Sequence, residues 1–310
     1  MKAVRVYPPA TIANLVCGFD VLGMAIDAPC DMMECRTSDT PGLRIIHTDA
    51  YALPTVPENN VAGVALLAMM EELPADTGFD LLIHKSIKPG SGLGSSAASA
   101  AGAVVAANAL LEQPFSKEDL VRFAMFGEKL ATGVKHADNI APCIYGGITL
   151  IRSIFPLDII SLPAPDLFVT VVHPQIEVKT ADARQILRKE VQLKQAIRQW
   201  GNIAGLVAGI LQQDHALIGR SLEDVLIEPV RSILIPGFDQ LKQRCLNAGA
   251  LGGGISGSGP SVFMLSETAA CADSVAGIMQ KTYDDMDVTA NVYVTKIAKQ
   301  GVRIELIESV

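Results

Sequence analysis

The chain has 310 residues, 49% of them hydrophobic and 19% charged, with a formal net charge of -8. This much apolar material supports a sizeable core and excludes a disordered chain, and the length calls for two domains or one large two-lobed one. The acidic balance argues against a general nucleic-acid binder, although it leaves room for a local basic pocket that takes an anionic substrate.

The first nine residues lack the long apolar core of a signal peptide and read as a first strand. Residues 2–50 hold short β-rich runs, among them Val4–Val6 and Leu43–His47, separated by proline and glycine. Asn60 reads as the cap of a helix that carries Val61, Val64, Ala65, Ala68 and Met69 at helical spacing. A strand over Leu81–Ile87 feeds a glycine-rich segment, and a helix from about Ser95 to Leu111 follows. Positions 89–111 carry no charge, but the apolar part is mostly alanine and too short to span a bilayer. Ser116, with Asp119 three residues on, resembles a capping box that opens the next helix.

Tyr145–Ile151 precedes the most proline-dense stretch, Phe155–Pro165, so the domains are expected to be 1–155 and 156–310. The second half reads as strand 167–173, helix 181–191, an apolar helix near 201–213, helix 237–248, strand 261–265, helix 268–282 and strand 289–296. Strands alternate with helices without a regular βαβ rhythm, which suggests two α+β lobes rather than one doubly wound sheet. The cysteines at 17, 30, 35, 143, 245 and 271 show no Cys-x-x-Cys pair and no zinc spacing. They read as reduced thiols in a soluble cytoplasmic protein, with no membrane partner.

Two glycine-rich segments carry the chemistry. In the first, Gly90, Gly92 and Gly94 alternate with Ser91 and Leu93 behind Pro89, so the backbone can turn its N–H groups inward. Ser95 and Ser96 then open a helix whose first amides are unpaired and whose dipole favours an anion. This makes a phosphate cradle, unless it is only a turn ahead of an alanine-rich helix that begins with Ala97 and Ala98. It is not a Walker A loop, because the Gly-Lys-Ser/Thr ending is absent. The second segment, Gly252–Pro260, formally contains the dinucleotide fingerprint at Gly252, Gly254 and Gly257. A helix is expected before it and a strand after it, the reverse of what that fingerprint needs. A tight loop that approaches a ligand or another backbone, or a plain structural turn, is what remains.

Taken alone, the remaining candidates have ordinary readings. Asn14 and Asp20 flank a turn around Gly18. Glu128 falls in line with Leu120 and Ala124, yet a carboxylate in mid-helix is usually solvated. Thr180 reads as a helix cap, with Arg184 in the first turn, where the dipole disfavours a cation by ~0.3–1 kcal/mol. His136 and Arg231 have no distinctive local pattern.

With these residues in place, the chain resembles the GHMP kinase superfamily. The loop 89–96 is similar to its ATP signature, Gly254–Pro260 to its C-terminal motif, and Pro9–Gly23 to the N-terminal motif of its homoserine-phosphorylating branch. Ile12 and Val16-Cys17 depart from the common pattern with apolar residues beside the polar ones. The resemblance implies a two-lobed fold, an N-terminal mixed sheet with helices and a ferredoxin-like C-terminal lobe. It implies ATP held by Asn60, Pro89, Gly90, Ser91, Gly92, Leu93, Gly94, Ser95, Ser96, Ala97 and Ala98, with Mg²⁺ on Ser96 and Glu128. It puts L-homoserine against Asn14, Asp20, His136, Thr180, Arg184 and Arg231, the arginines around its carboxylate and Asp20 on its ammonium or hydroxyl.

Mevalonate kinase-like members have an aspartate, proposed as general base, near the position that Asn139 occupies here, so that base is expected to be missing. The implied activity is ATP-dependent phosphorylation of the homoserine side-chain hydroxyl on the way to threonine, with Asp20, Ser96 and Glu128 as catalytic groups. The alternatives are a mevalonate-type alcohol kinase or a non-catalytic nucleotide-binding relative. Dimers are frequent in the superfamily, and a homodimer is an expectation by that analogy alone.

Overall fold

Val4 and Val6 are buried while Ala3, Arg5 and Tyr7 are only partly so, and this two-residue period gives a strand with one wet face. The computed structural model describes residues 3–178 and 180–307, and β1 (Ala3–Tyr7) is its first strand. β2 (Pro9–Ala13), β3 (Leu22–Cys30), β4 (Met32–Thr37) and β5 (Gly42–His47) follow, then α1 (Val61–Met70) and β6 (Gly78–His84). Three helices come next, α2 (Ser95–Leu110), α3 (Lys117–Thr132) and α4 (Ile140–Tyr145), and then the hairpin of β7 (Ile148–Ile154) and β8 (Leu157–Leu162). The chain continues through β9 (Phe168–Pro174), α5 (Thr180–Gln185), α6 (Leu193–Gln212), α7 (His215–Ser221), α8 (Glu228–Arg231) and α9 (Phe238–Asn247). It ends with β10 (Gly252–Ile255), β11 (Val262–Ser266), α10 (Ala269–Asp284), β12 (Ala290–Lys296) and β13 (Arg303–Ile307).

These strands form three sheets, ordered β13-β1-β4-β6-β5, β2-β3-β7-β8 and β10-β11-β9-β12. Among the described residues only β5 and β6 pair in parallel, so the first sheet is mixed and the other two are antiparallel. The result is a two-lobed α+β architecture, with α9 and α10 packed on the third sheet. The apolar core that fills the first lobe continues into Val169, Val171 and Phe263 of the second. α2 is its axis, with 13 of its 16 residues buried, so it faces protein on every side. Small side chains permit that: a Cβ at Gly102 would lie 2.5 Å from Met33 Sδ. Among the described residues, no helix is long and apolar enough to cross a membrane.

The caps expected of Asn60 and Ser116 form. Asn60 Oδ1 accepts from Ala62 N and Gly63 N, and Ser116 and Asp119 exchange the two bonds of a capping box. Other elements differ. The strand expected to run to Ile87 stops at His84, because Ser86 N and Ile87 N turn to donate to Asp31 Oδ1. α5 ends at Gln185 instead of Val191, where Leu187 N closes a short turn onto Arg184 O. α6 begins eight residues before the expected 201, at Leu193, with apolar residues of its first turns exposed rather than packed. The expected division at 155 coincides with the tip of the β7–β8 hairpin, and β13 returns to pair with β1. Cutting there would strip β8 from its partner.

Below α2, Lys85 is fully buried and ion-paired with Asp31, and its ammonium also donates to Ser95 O and Ser99 Oγ. Burial pushes the Lys85 pKa down, and the charge of Asp31 opposes that. Removing one partner leaves the other charge buried and uncompensated, which costs about 3–5 kcal/mol. Asp31→Ala is therefore expected to lower the unfolding free energy by about that amount in urea titrations with an unchanged m-value. A loss below about 1 kcal/mol would show that the pair is not an essential support.

Candidate active site

The loop before α2 is shaped by backbone contact with the second glycine segment. Gly92 has φ +81°, and a Cβ on it would lie 2.6 Å from Gly259 O and 2.7 Å from Ser256 O. Ser256 Oγ donates to Gly92 O at 2.7 Å, and Ser261 N donates to Ser91 O at 3.3 Å. The segment 252–260, expected as a loop, is strand β10 followed by a turn that backs this glycine-rich loop; the four β10 residues are paired with β11. Gly94, in the left-handed region at φ +68°, caps α2, and a Cβ there would overlap Thr11 Oγ1 at 1.9 Å. Thr11 in turn donates to Asn139 Oδ1 at 2.8 Å. Glycine is required at both positions by space as well as by φ.

A cavity of about 340 Å³ opens over this loop. Pro89, Gly90, Gly92, Gly94, Ser95 and Ser96 line it, whereas Ser91, Leu93, Ala97 and Ala98 are turned into the core. Ser95 Oγ is spent on Ile87 O at 2.7 Å. Ser96 Oγ instead donates to Glu128 Oε2 at 3.1 Å. Glu128 is buried, so the solvated reading of this mid-helix carboxylate is wrong: α3 turns it inward with Leu120 and Ala124. Burial pushes its carboxyl pKa up, against the Ser96 hydrogen bond and the charge of Arg184.

Asn60 and His47 line another part of the wall. The Asn60 amide caps α1 through its oxygen and donates to Pro54 O and His47 Nε2 through its nitrogen. With Nε2 accepting, the His47 proton sits on Nδ1, facing Asp49 Oδ2 at 3.4 Å. Asn60 therefore shapes this wall with an amide already engaged on both sides.

The third group lies around the turn between β2 and β3. Asn14, Leu15, Val16 and Asp20 all have positive φ, so this turn is strained and held from outside. Asn14 does the holding: its Oδ1 accepts from Asp20 N and its Nδ2 donates to Gly257 O. Asp20 receives two bonds from Arg184, at 3.0 and 3.2 Å. His136 Nδ1 stands 3.9 Å from the same carboxylate, with a pKa lowered by burial and by Arg184 while Asp20 raises it. Arg231 is buried and committed to backbone, donating to Ala183 O and Gly257 O at 3.1 and 3.0 Å. Both guanidinium groups lie against the Phe19 ring, 5.6 Å and 5.0 Å from its centroid. The side chain of Thr180 lies outside the described residues.

Sequence reasoning did not single out three groups of this cavity: His47, Lys85 and Asp138. A lysine at the end of an apolar strand reads as a solvated edge, and only the tertiary pairing with Asp31 reveals its burial. Asp138 sits in the same block as His136 and reads as a polar turn, but it is buried, and burial with help from Asp20 and Glu128 pushes its carboxyl up to about 7. The cavity thus combines an anion-binding helix terminus, a hydroxyl–carboxylate pair and a region of opposed charges. That set suits a phosphorylated ligand beside a small charged one.

The chain matches the model of the GHMP kinases N terminal domain over residues 59–147 and that of the GHMP kinases C terminal over residues 206–285. It is 45% identical to a homoserine kinase of Chloroherpeton thalassium, covering 98% of this chain and 100% of that one. With a homoserine kinase of Methanocella arvoryzae the identity is 41%, over 98% of both. The crystal structure of homoserine kinase from Cytophaga hutchinsonii superposes with a TM-score of 0.94 at 47% identity, covering 98% of this chain and 97% of that one.

Two outcomes follow from the geometry. Gly92→Ala is expected to raise the KM for nucleotide at least tenfold, since the loop must move off Gly259 and Ser256; an unchanged KM would show that the loop contact does not shape the site. Asp138 is the second case. Its carboxyl is held near 7 in the fold against about 3.9 in an unfolded chain. Between those values the native state binds more protons, so its stabilising contribution is complete below about pH 4 and is lost as pH rises through 7. The melting temperature of the native chain should therefore fall more between pH 5 and pH 8 than that of Asp138→Asn. Parallel pH profiles would contradict the buried, protonated carboxyl.

Proposed function

The chain belongs to the GHMP kinase family, and on that premise we propose that it transfers the γ-phosphoryl group of ATP to the side-chain hydroxyl of L-homoserine. The observation that carries the reading is one cavity in which a phosphate loop adjoins an acid, Asp20, and two arginines, Arg184 and Arg231. An amino acid needs both signs of charge to be held by its head. Mevalonate offers a carboxylate but no ammonium, so Asp20 disfavours it.

The chemistry is a displacement at phosphorus. The hydroxyl oxygen forms a bond to the γ-phosphorus, the bond to the bridging oxygen of ADP breaks, and the hydroxyl proton passes to an oxygen of the transferred phosphoryl group or to water. Backbone amides of the loop and the first turn of α2 hold the phosphates, while Asp20, through the ammonium it holds, aligns the hydroxyl nucleophile. The Asn139 amide is bonded to Thr11 and cannot take a proton. A loose, dissociative transition state asks little of a base, so alignment and charge neutralisation carry the rate.

Ser96 and Glu128 fit a Mg²⁺ ion. They are adjacent hard oxygen donors on the cavity wall, and a cation would offset the cost of burying the carboxylate. Among the described residues no three His, Cys, Asp or Glu side chains gather to hold a metal; an ion on Ser96 and Glu128 would take its other ligands from phosphates and water. Bound there, Mg²⁺ would neutralise phosphate charge. In this reading the product, O-phospho-L-homoserine, supplies threonine synthesis in the cytoplasm.

Ser96→Ala and Glu128→Gln are each expected to cut kcat by about 10²-fold or more while changing the KM for homoserine little. Near-normal kcat in both would remove the metal assignment. ADP release measured with homoserine, threonine, serine and mevalonate should be fastest with homoserine. Equal rates on mevalonate, or none on homoserine, would overturn the substrate.

A further inference from the structure

The two side chains that the proposed function sets on the ends of the substrate are bound to each other. Arg184 donates from both terminal nitrogens to the two oxygens of Asp20, at 3.2 and 3.0 Å, in a parallel two-bond geometry. While it keeps both bonds, neither group can offer the same two-bond face to a ligand charge. Arg184 is the one free to let go. Arg231 is anchored to two backbone carbonyls, whereas among the described residues the hydrogen bonds of Arg184 go to Asp20 alone. Arg184 also rides on the six-residue helix α5, while Asp20 is fixed in a strained turn that Asn14 clamps. Finally, Arg184 Nε is shielded from solvent and has no acceptor among the described residues, so the ion-paired arrangement leaves this donor unsatisfied there.

Resting on the kinase reading above, we infer that the Asp20–Arg184 pair is an internal stand-in for the charges of the substrate, and that it selects zwitterionic alcohols by exchange. Binding replaces one internal ion pair with two external ones, an ammonium on Asp20 and a carboxylate on Arg184. An alcohol that carries both charges satisfies both partners. One that carries a single charge must open the pair and leave a partner bare, so it is rejected by more than the contact it lacks.

This differs from simple contact between Arg184 and a carboxylate in the sign of one measurement. 3-Amino-1-propanol has the ammonium and hydroxyl of homoserine and no carboxylate, so it makes no bond to Arg184. In Arg184→Met, Asp20 is released, and kcat/KM for 3-amino-1-propanol is expected to rise about tenfold above that of the native enzyme while kcat/KM for homoserine falls. An unchanged or lowered value for 3-amino-1-propanol would overturn the exchange. Arg184→Gln carries the same expectation and covers the case in which the methionine variant does not fold. If the native enzyme itself fails to phosphorylate homoserine, the function is wrong. If it succeeds and the aminopropanol value does not rise, only the exchange is wrong.

Discussion

Two backbones meet at Gly92 with no side chain between them, and the site depends on that contact. The carbonyls of Ser256 and Gly259 occupy the space where a Cβ would be, and Ser256 Oγ closes the join onto Gly92 O. This docks the second lobe directly on the glycine-rich loop that precedes α2. The same turn supplies Gly257 O, which accepts from Asn14 and from Arg231. One short segment of the C-terminal lobe therefore registers the phosphate loop, the β2–β3 turn and an arginine against each other. A displacement of the lobes would disturb all three together.

The loop is fixed from its other side by charge. Asp31 divides its carboxylate between the Lys85 ammonium and the amides of Ser86 and Ile87, the residues that lead into the loop. Lys85 then reaches Ser95 O and Ser99 Oγ in the first turns of α2. A buried pair of this sort adds little net stability over apolar packing, but its many directed bonds admit few alternative geometries. The entry and exit of the loop are thus tied to one buried anchor. An apolar core beneath it, able to repack, would not fix the amides of α2 as tightly.

This division explains what could be read in the sequence. Local chemistry was legible: the Asn60 and Ser116 caps, the start of α2 and the glycine pattern at 90–94 all follow from nearest neighbours along the chain. The two α+β lobes also emerged, since alternation of strand and helix is a property of the whole sequence, whereas the mixed sheet was an expectation from the family resemblance. The nucleotide-loop, Mg²⁺ and substrate assignments needed more, because Asn14, Asp20 and His136 have ordinary local readings and became candidates through resemblance to a family. Groups whose role arises only across long sequence separations stayed hidden. Lys85 meets Asp31, Asp138 is buried among elements from both sides of the β2–β3 turn, and Gly252–Ile255 becomes a strand only because β11 pairs with it. The early stop of β6 has the same origin, a carboxylate more than fifty residues away that captures two amides.

The charges in the cavity are arranged to be incomplete. Glu128 and Asp138 are buried carboxyls whose protonated forms are favoured by burial, and their own charges do not relieve each other. Arg231 and Lys85 are cations already committed to the fold. Arg184 is the exception, a guanidinium whose hydrogen-bond partner, Asp20, is itself a cavity group. A ligand that brings positive charge near Glu128 and one of each sign near Asp20 and Arg184 would complete this set, while any subset leaves a buried charge unanswered. Cooperation between nucleotide, cation and amino-acid substrate would then need no moving domain. It would follow from a scaffold whose buried carboxyls and one internal ion pair leave room for ligand charge at low dielectric, where each ligand lowers the cost of the next.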